Sequence, residues 1–302
     1  MNRLFLTLGV AAFIGLAGFC GQVSADTIPY AYNPAGSIFN YHFPDSSSNL
    51  STGTATDLST AGNNATSHYF TDTGLSSNVP AGMTGYSMDS GVSGDGKGLR
   101  TVGTHLLDTQ DVAKYGGFIY DVWVYPTAWA STWGGFIISY SGTESLRIGP
   151  STDQKYGTDQ KFVFNISNAN TSDILIKSSV IALNNWYHVV AVFDTEGNEA
   201  IYGTVGNKTG WYVKGKMSLY VNDVLAASAA MTSTRKDYSG DDINQPFGVG
   251  VQPLPGSTSY DFPGLIYNPK VSYLNAIPEP STLSLLACGL IGLLAYAWRK
   301  RR

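Results

Sequence analysis

Paired carboxylates are what a polysaccharide-cleaving enzyme needs first, and this sequence does not supply a pair at a useful spacing. Glycoside hydrolysis uses two carboxylates about 5 to 9 Å apart. The glutamates of residues 26–276 are Glu144, Glu196 and Glu199, and the last two flank a Gly-Asn pair typical of a turn. Asp241 and Asp242 are adjacent, so on a strand they would point to opposite faces. A glucanase or lyase is therefore retained only as an alternative function.

Nucleophilic chemistry and zinc binding also lack the residues they need. Both cysteines, Cys20 and Cys288, lie outside residues 26–276, and that segment contains no Gly-x-Ser-x-Gly sequence. Its histidines are far apart in the sequence, whereas a zinc site needs His or Cys ligands in a cluster; they are His42, His68, His105 and His188. The sequence therefore predicts no catalytic residue and no zinc site.

Aromatic side chains provide the chemistry that the sequence favours, which is the binding of sugar rings. Exposed aromatic rings stack on sugar faces, while Asn, Asp and backbone groups fix the orientation of the sugar. Some aromatic residues lie in Gly-, Ser-, Thr- or Lys-rich stretches typical of loops, and these are our glycan-binding candidates: Trp129, Trp133, Tyr156, Trp211 and Tyr212. The alternative is that these rings cap the edges of the fold. Trp123 and Trp186 lie in strand-like sequence, and we expect both in the core.

The C-terminal end carries three signals in a fixed order. Pro278-Glu279-Pro280 is followed by an apolar run over residues 283–298 and by the basic residues Arg299 to Arg302. Such a run spans about 24 Å as a helix, slightly less than a ~30 Å hydrocarbon core, and its basic end stays in the cytoplasm. This order resembles the PEP-CTERM sorting signal, which an exosortase of the inner membrane recognises and processes. An ordinary tail anchor with a proline linker is the alternative.

The N-terminal end has the features of a secretory signal peptide. Arg3 precedes an apolar run from Leu4 to Phe19, and Val23-Ser24-Ala25 has small residues at the positions that signal peptidase reads. Cleavage is predicted after Ala25. A lipoprotein modified at Cys20 is the alternative, which the bulky Phe19 disfavours. The sequence therefore divides into a signal peptide at 1–25, one domain at 26–276 and a sorting signal at 277–302, with a transmembrane helix at 283–298.

The composition of residues 26–276 indicates an all-β domain with an acidic surface. Of the 22 acidic residues only Glu279 lies outside this segment, whereas five of the 18 basic residues do, which leaves it a net charge of −8. That charge disfavours nucleic acid as a partner. Without cysteine the domain has no disulfide and depends on a hydrophobic core, which its length permits. Abundant Gly, Ser, Thr, Asn and Tyr favour short strands joined by polar turns.

Strand-like sequence is clear from residue 116 onward and weak before it. Residues 45–66 are nearly all small and polar, which predicts a long surface loop. Met217 to Leu225 predicts a hairpin that turns at Asn222-Asp223. The run 184–194 is apolar on both faces, as expected of a central strand. The other predicted strands cover residues 99–102, 117–126, 136–140, 146–148, 161–166, 247–251 and 264–271.

Two of these segments resemble laminin-G-like jelly-roll domains. Trp186 to Asp194 is similar to the family's Trp-Tyr-His-hydrophobic-Ala strand, and Leu219 to Asp223 is similar to its strand ending in Tyr-Val-Asn-Gly. The resemblance implies an all-β, two-sheet antiparallel jelly-roll sandwich of the concanavalin A-like type over about residues 115–275, completed by the N-terminal part. Asp223 departs from the family, which usually has Gly at this position of the hairpin.

The resemblance also implies roles for a few residues. It makes His188 a strand residue that is hydrogen-bonded within the sheet, and not a catalytic base. Jelly-roll domains often hold one calcium ion, and the candidate oxygen ligands here are Asp241, Asp242 and Asn244. A solvated acidic turn is the alternative. Tyr267 replaces an acid that the family often has after Gly-x-Ile, so no role is carried over for that acid.

Together these features predict a secreted protein with a non-catalytic jelly-roll domain. We expect signal peptidase and then an exosortase as partners during export. The protein would be anchored briefly in the inner membrane and then released to the cell surface or extracellular matrix. Its predicted activity is adhesion or the binding of an extracellular polysaccharide, with no cofactor; a structural calcium ion is the alternative. The alternatives are a polysaccharide-active enzyme on the same fold and a structural surface protein without a small ligand.

Replacing Pro278-Glu279-Pro280 by three alanines should leave a larger, membrane-retained protein. The two prolines keep this segment extended and accessible just outside the membrane, and alanines would let it continue the helix. Membrane fractionation and mass spectrometry of the C-terminus, in a host that has an exosortase, measure the outcome. A native chain that keeps Arg302 and stays in the inner membrane would support the plain tail anchor instead.

Overall fold

The fold is described by a computed structural model, which covers the core of the predicted domain. The described residues are 32, 34–43, 49–92, 94–103, 106–130, 135–140, 144–149, 160–166, 174–205, 208–238, 246–253 and 260–275. The predicted signal peptide and sorting signal lie outside them. No helix among the described residues is long and apolar enough to cross a membrane.

Within these residues the chain is almost entirely β-structure. One short helix, α1, covers Thr109–Lys114, and two 3-10 turns cover Pro34–Gly36 and Leu50–Thr52. The strands are β1 Ser37–Asn40, β2 Thr54–Ala55, β3 Ala65–His68, β4 Leu75–Ser76, β5 Ser87–Asp89, β6 Gly98–Thr101, β7 Gly117–Pro126, β8 Gly135–Tyr140, β9 Glu144–Ile148, β10 Phe162–Ile166, β11 Ile174–Lys177, β12 Tyr187–Asp194, β13 Ile201–Val205, β14 Lys208–Val221, β15 Val224–Tyr238, β16 Phe247–Val249 and β17 Gly264–Tyr273.

The strands form two antiparallel sheets that face each other. The first sheet has the order β13-β14-β12-β7-β17-β5-β4, with β15 paired to β14 and β1 paired to β17. The second sheet has the order β11-β10-β9-β8-β16-β6-β3-β2. A large apolar core fills the space between them, and its bulkiest members include Phe118, Tyr120, Phe164, Phe193 and Phe247. This arrangement confirms the predicted two-sheet jelly-roll sandwich.

The register between β7 and β12 decides which side chains face the core. Val122 lies opposite Val189, and Tyr120 lies opposite Ala191; these side chains are buried between the sheets. Because successive residues of a strand point to opposite faces, the intervening residues of β7 face outward. Asp121, Trp123 and Tyr125 accordingly alternate with the buried residues and are only half-buried. The first sheet therefore has an outer face that carries aromatic and charged side chains.

Trp123 and Trp186 both lie on this outer face, so the prediction that they are core residues is wrong. Strand β12 begins at Tyr187, and its inward-facing residues are Val189, Ala191 and Phe193. The side-chain period of two places Trp186 on the other face. Its indole Nε1 donates a hydrogen bond to Oδ1 of the exposed Asn78 at 3.0 Å. The sequence was ambiguous here because the run 184–194 is apolar on both faces.

The predicted hairpin at Asn222-Asp223 is confirmed, although its strands are longer than expected. Val221 pairs with Val224 across a two-residue turn. Asn222 and Asp223 have φ angles of 51° and 67°, and positive φ at both central residues is the requirement of a type I′ turn. Asn and Asp tolerate this conformation better than most residues do. The sequence therefore specified the turn, but not the full extent of β14 and β15.

The segment before residue 116 completes both sheets. Strands β1, β4 and β5 join the first sheet, and β2, β3 and β6 join the second. The surface loop predicted over residues 45–66 is wrong in part, because β2 and the start of β3 lie within it and bury Ala55 and Ala65. The carboxylate of Asp57 organises this polar stretch by accepting hydrogen bonds from the backbone N–H groups of Asn40, Ser59 and Asn63.

Buried polar groups also tie the N-terminal segment to the residues just before the last strand, β17. The carboxylate of Asp261 is fully buried and accepts hydrogen bonds from the backbone N–H groups of Gly94 and Gly96. The hydroxyl of Ser90 lies 2.7 Å from the carbonyl oxygen of Phe262. Groups buried this deeply would be costly without partners. The N-terminal segment is therefore an integral part of the domain.

Truncating Phe193 should destabilise the protein much more than truncating Trp186. Phe193→Ala removes a fully buried ring and should cost about 3 to 5 kcal/mol of unfolding free energy. The space left by Trp186→Ala would be open to solvent and would not form a closed cavity. We therefore expect this variant to lose about 1 to 2 kcal/mol of unfolding free energy. Chemical denaturation of the two variants measures both values. An equal loss in the two would place Trp186 in the core after all.

Candidate functional site

Four rings form two cross-strand pairs on the outer face of the first sheet, and we call this set the aromatic face: Trp123, Tyr125, Trp186 and His188. The rings of Trp123 and His188 are stacked, with centroids 4.9 Å apart and planes 15° from parallel. The rings of Tyr125 and Trp186 lie 5.4 Å apart at 50°. All four side chains are half-buried. The four rings are therefore each partly exposed to solvent on the outer face of the sheet.

Neighbouring strands support the aromatic face on its other side. Tyr267 of β17 lies directly opposite Trp123, and Leu265 lies opposite Tyr125. The hydroxyl of Tyr267 donates a hydrogen bond to the carbonyl oxygen of Thr84 at 2.9 Å, which fixes the ring. Tyr267 is the residue at which the sequence departs from the family's usual acid, and here it packs beside Trp123.

Two carboxylates hold His188 in place. Its Nε2 lies 3.1 Å from Oδ1 of Asp121 on β7, and its Nδ1 lies 2.7 Å from Oδ1 of Asp223 in the hairpin turn. Burial lowers the pKa of His188, but hydrogen bonds and charge from Asp121, and then from Asp223, outweigh it and raise the pKa above 6.5. His188 is therefore a strand residue hydrogen-bonded within the sheet, as predicted.

The hairpin turn is docked onto His188 through the backbone as well. Oδ1 of Asn222 accepts a hydrogen bond from the backbone N–H of His188 at 3.0 Å, and the N–H of Asn222 donates to the carbonyl oxygen of His188. Asp223 is in the left-handed region, where Gly is the least strained residue. An Asp there carries the carboxylate that Gly lacks. The departure from the family's Gly thus supplies a partner for His188.

The glycan-binding candidates that the structure describes have three different positions. Tyr212 lies within β14 and is only 3% exposed, so the prediction that it is a loop residue is wrong. Trp129 follows β7 and packs against the core, in line with the edge-capping alternative. Trp211 lies on the β13–β14 hairpin, where its ring meets that of the exposed Tyr202 at 5.3 Å. Of the three candidates that the structure describes, Trp211 is the one that lies on an exposed hairpin.

The other predicted site residues lie outside the described part of the chain. They are Trp133, Tyr156, the calcium candidates Asp241, Asp242 and Asn244, and the sorting motif Pro278, Glu279 and Pro280. Their roles stay predictions. Among the described residues no group of three or more His, Cys, Asp or Glu side chains could hold a metal ion.

Reading the sequence missed the aromatic face, although β7 contains a signal for it. Phe118, Tyr120, Val122 and Val124 are apolar at every second position, and Asp121 interrupts the other set. A charged residue between buried ones marks the outward-facing set, so Asp121 indicates that Trp123 and Tyr125 face outward. No comparable signal in the sequence links Asp223 to His188, because their contact depends on how the hairpin packs.

Comparison with known families identifies the fold. The family model of the concanavalin A-like lectin/glucanases superfamily, laminin G type, matches residues 103–273. The chain belongs to this superfamily. The PEP-CTERM protein-sorting motif matches residues 276–302, which confirms the predicted sorting signal. A comparison with curated proteins found no match.

Solved structures of similar fold are only distantly related to this chain. Domain 4 of AbnA, an extracellular arabinanase of Geobacillus stearothermophilus in complex with arabinotriose, is 14% identical, with a TM-score of 0.44 over 82% of this chain and 96% of that one. The binding domain of botulinum neurotoxin DC in complex with SialylT is 15% identical, with a TM-score of 0.45 over 84% of this chain. This chain covers 52% of that binding domain. No residue role is carried over from either.

Replacing His188 by Gln should reduce stability more in mild acid than in base. A folded-state pKa raised above 6.5 means that the charged ring stabilises the fold fully below that pH, and that this contribution is lost as the pH rises through the folded pKa. The unfolding free energies of native and His188→Gln proteins should therefore differ more at about pH 5.5 than at about pH 9.

His68→Gln is the matched control, because burial and then the charge of Arg100 lower the pKa of His68. The same reasoning gives the opposite sign: protonation penalises the native fold as the pH falls through about 6.5, the value expected in the unfolded chain. As the pH falls, the unfolding free energy of the His68→Gln protein should therefore rise relative to that of the native protein. The same pH trend in both variants would contradict the assigned role of His188.

Proposed function

We propose that this chain is an exported, surface-sorted protein whose jelly-roll domain binds an extracellular polysaccharide at the aromatic face without cleaving it. The observation that carries the proposal is the half-exposed pair of Tyr125 and Trp186 beside the stacked pair of Trp123 and His188. Flat aromatic surface stacks on the apolar face of a sugar ring. Because β7 and β12 are central strands, little ordering entropy would be lost on binding.

Polar groups at the rim of the aromatic face supply hydrogen bonds that could orient a sugar. Asn78 already holds the indole of Trp186 through Oδ1, and its amide N–H groups are able to donate to a hydroxyl. The side chain of Asp223 is 66% exposed, so its second carboxylate oxygen is able to accept from another. A few placed polar groups around an apolar surface are typical of carbohydrate and small-ligand sites.

The carboxylates at the aromatic face are arranged for structure and not for glycoside hydrolysis. Asp121 and Asp223 bind opposite nitrogens of His188, so the imidazole occupies the space between them. A glycosidase needs that space for the scissile bond and a water molecule. This geometry supports binding without cleavage over the polysaccharide-active enzyme that the sequence left as an alternative.

The sorting motif supports a location outside the cell. The signal peptide at 1–25, release by exosortase at the PEP-CTERM motif and delivery to the cell surface or matrix belong to this proposal. Its domain would then meet polysaccharide as soon as it is released. A structural surface protein without a ligand would be exported to the same location. Only a binding measurement therefore distinguishes it from a polysaccharide-binding protein.

Binding of neutral oligosaccharides tests the proposal. A glycan array should identify a neutral ligand for the native domain, and titration calorimetry should then give its affinity. Trp186→Ala and Tyr125→Ala should each weaken that affinity about tenfold or more, equivalent to about 1.4 kcal/mol. Thermal melting of each variant verifies that it remains folded.

Trp211→Ala is the matched control, because it removes an aromatic ring from an exposed hairpin of the same sheet. It should bind like the native protein. If Trp211→Ala loses binding while Trp186→Ala keeps it, the site lies on the hairpin and the assignment to the aromatic face is wrong. If the native domain binds no polysaccharide, the proposal is wrong and a structural surface protein without a ligand is favoured.

A further inference from the structure

A buried arginine that has no hydrogen-bond partner among the described residues lies in the second sheet. Arg100 of β6 is only 9% exposed, and its Nε and Nη2 atoms are buried with no hydrogen-bond partner. Among the described residues no carboxylate forms an ion pair with it. Its side chain faces away from the core, because the neighbouring Leu99 points inward.

Such an arrangement costs stability. A guanidinium remains charged in proteins and has five N–H donors to satisfy. Burial lowers the pKa of Arg100, which shows that its charge is poorly solvated. Buried charges are normally paired, and each unsatisfied buried group calls for an explanation. An anion bound beside the guanidinium would supply the opposite charge that Arg100 lacks.

The residues around Arg100 on β3 open to solvent. Thr66 lies directly opposite Arg100 and is exposed, while His68 on the same strand is half-buried. Tyr69 follows β3 with a φ of 58°, and its ring is 53% exposed. Both His68 and Tyr69 lie close enough to Arg100 for their charges to interact with it. We call these four residues the Arg100 cluster.

The other side of Arg100 is closed by the chain itself. Gly248 of β16 lies opposite Arg100, and a Cβ atom there would lie 2.1 Å from the carbonyl oxygen of Val251. The backbone after β16 therefore runs directly over Gly248, on the same face as Arg100. A ligand would reach the guanidinium from the side of β3, past the exposed Tyr69.

We propose that the Arg100 cluster binds the carboxylate of an acidic sugar, with Arg100 pairing the carboxylate and the Tyr69 ring lying against the sugar. A planar guanidinium matches a carboxylate with two parallel hydrogen bonds. The hydroxyl of Thr66 and the imidazole of His68 are placed to bond sugar hydroxyls. This site lies on the opposite sheet from the aromatic face, so it does not depend on the function proposed for that face.

A charged oligosaccharide and its neutral methyl ester test the site. The native protein should bind a short oligogalacturonate at low salt and bind the fully methyl-esterified form at least tenfold more weakly. Arg100→Gln should lose at least tenfold in affinity for the charged probe. Its own melting temperature should not fall, since the substitution removes an uncompensated buried charge.

Lys177→Gln is the charge-matched control, because it removes one positive charge from β11 at the far end of the same sheet. It should bind the charged probe like the native protein, and Trp186→Ala should as well. Equal binding of the ester and the acid, or no binding of either, would overturn the proposal. So would an equal loss in Arg100→Gln and Lys177→Gln, because net charge alone would then explain binding.

A sulfated oligosaccharide distinguishes the source of the anion. Weaker Arg100-dependent binding of this probe than of oligogalacturonate supports a carboxylate ligand, whereas tighter binding overturns that choice of ligand. If Arg100→Gln does not fold, the acid and ester probes still test the proposal on the native protein, because equal binding of the two overturns it. Loss of neutral-glycan binding in Trp186→Ala, together with retained acid binding, would separate this site from the aromatic face.

Discussion

The pairing of β7 with β12 is the constraint on which the rest of the molecule depends. These strands lie at the centre of the first sheet, and their register sends Val122 and Val189 into the core. The same register sends Trp123 and His188 outward, where their rings stack. A slip of one residue would exchange the two faces, burying Asp121 and exposing the valines. Core and candidate site are thus specified by one set of hydrogen bonds.

Polar side chains complete the domain where hydrophobic periodicity is weak. The carboxylate of Asp57 accepts hydrogen bonds from backbone N–H groups of nearby residues, and that of Asp261 accepts them from a distant loop. These bonds fix turns that no apolar pattern marks. The bonds of Asp261 connect Gly94 and Gly96 to the part of the chain that the family model matches, residues 103–273. Because an Asp in a polar stretch looks like any solvated turn residue, its role becomes visible only when its partners are known.

The sequence predicts the turns of this domain well, but it predicts poorly on which face of a sheet a side chain lies. The turn at Asn222-Asp223 was predictable because only a few residues tolerate positive φ. The predictions for Tyr212 and Trp186 are wrong in opposite directions, because Tyr212 is buried and not in a loop, and Trp186 faces outward and not into the core. Both lie in runs where aromatic residues occur at odd and even positions alike, so alternation does not reveal which face is buried.

His188 and Arg100, two side chains that face away from the core, differ in whether carboxylates accompany them. His188, which solvent still reaches, has a carboxylate at each ring nitrogen, whereas Arg100 is more deeply buried and has no carboxylate partner among the described residues. If stability alone selected such partners, the deeper charge would have them, because an unpaired charge costs more as water is excluded. The carboxylates at His188 fix a hairpin against a sheet. Nothing comparable is fixed by Arg100, so its unused donors are better explained by a ligand than by the fold.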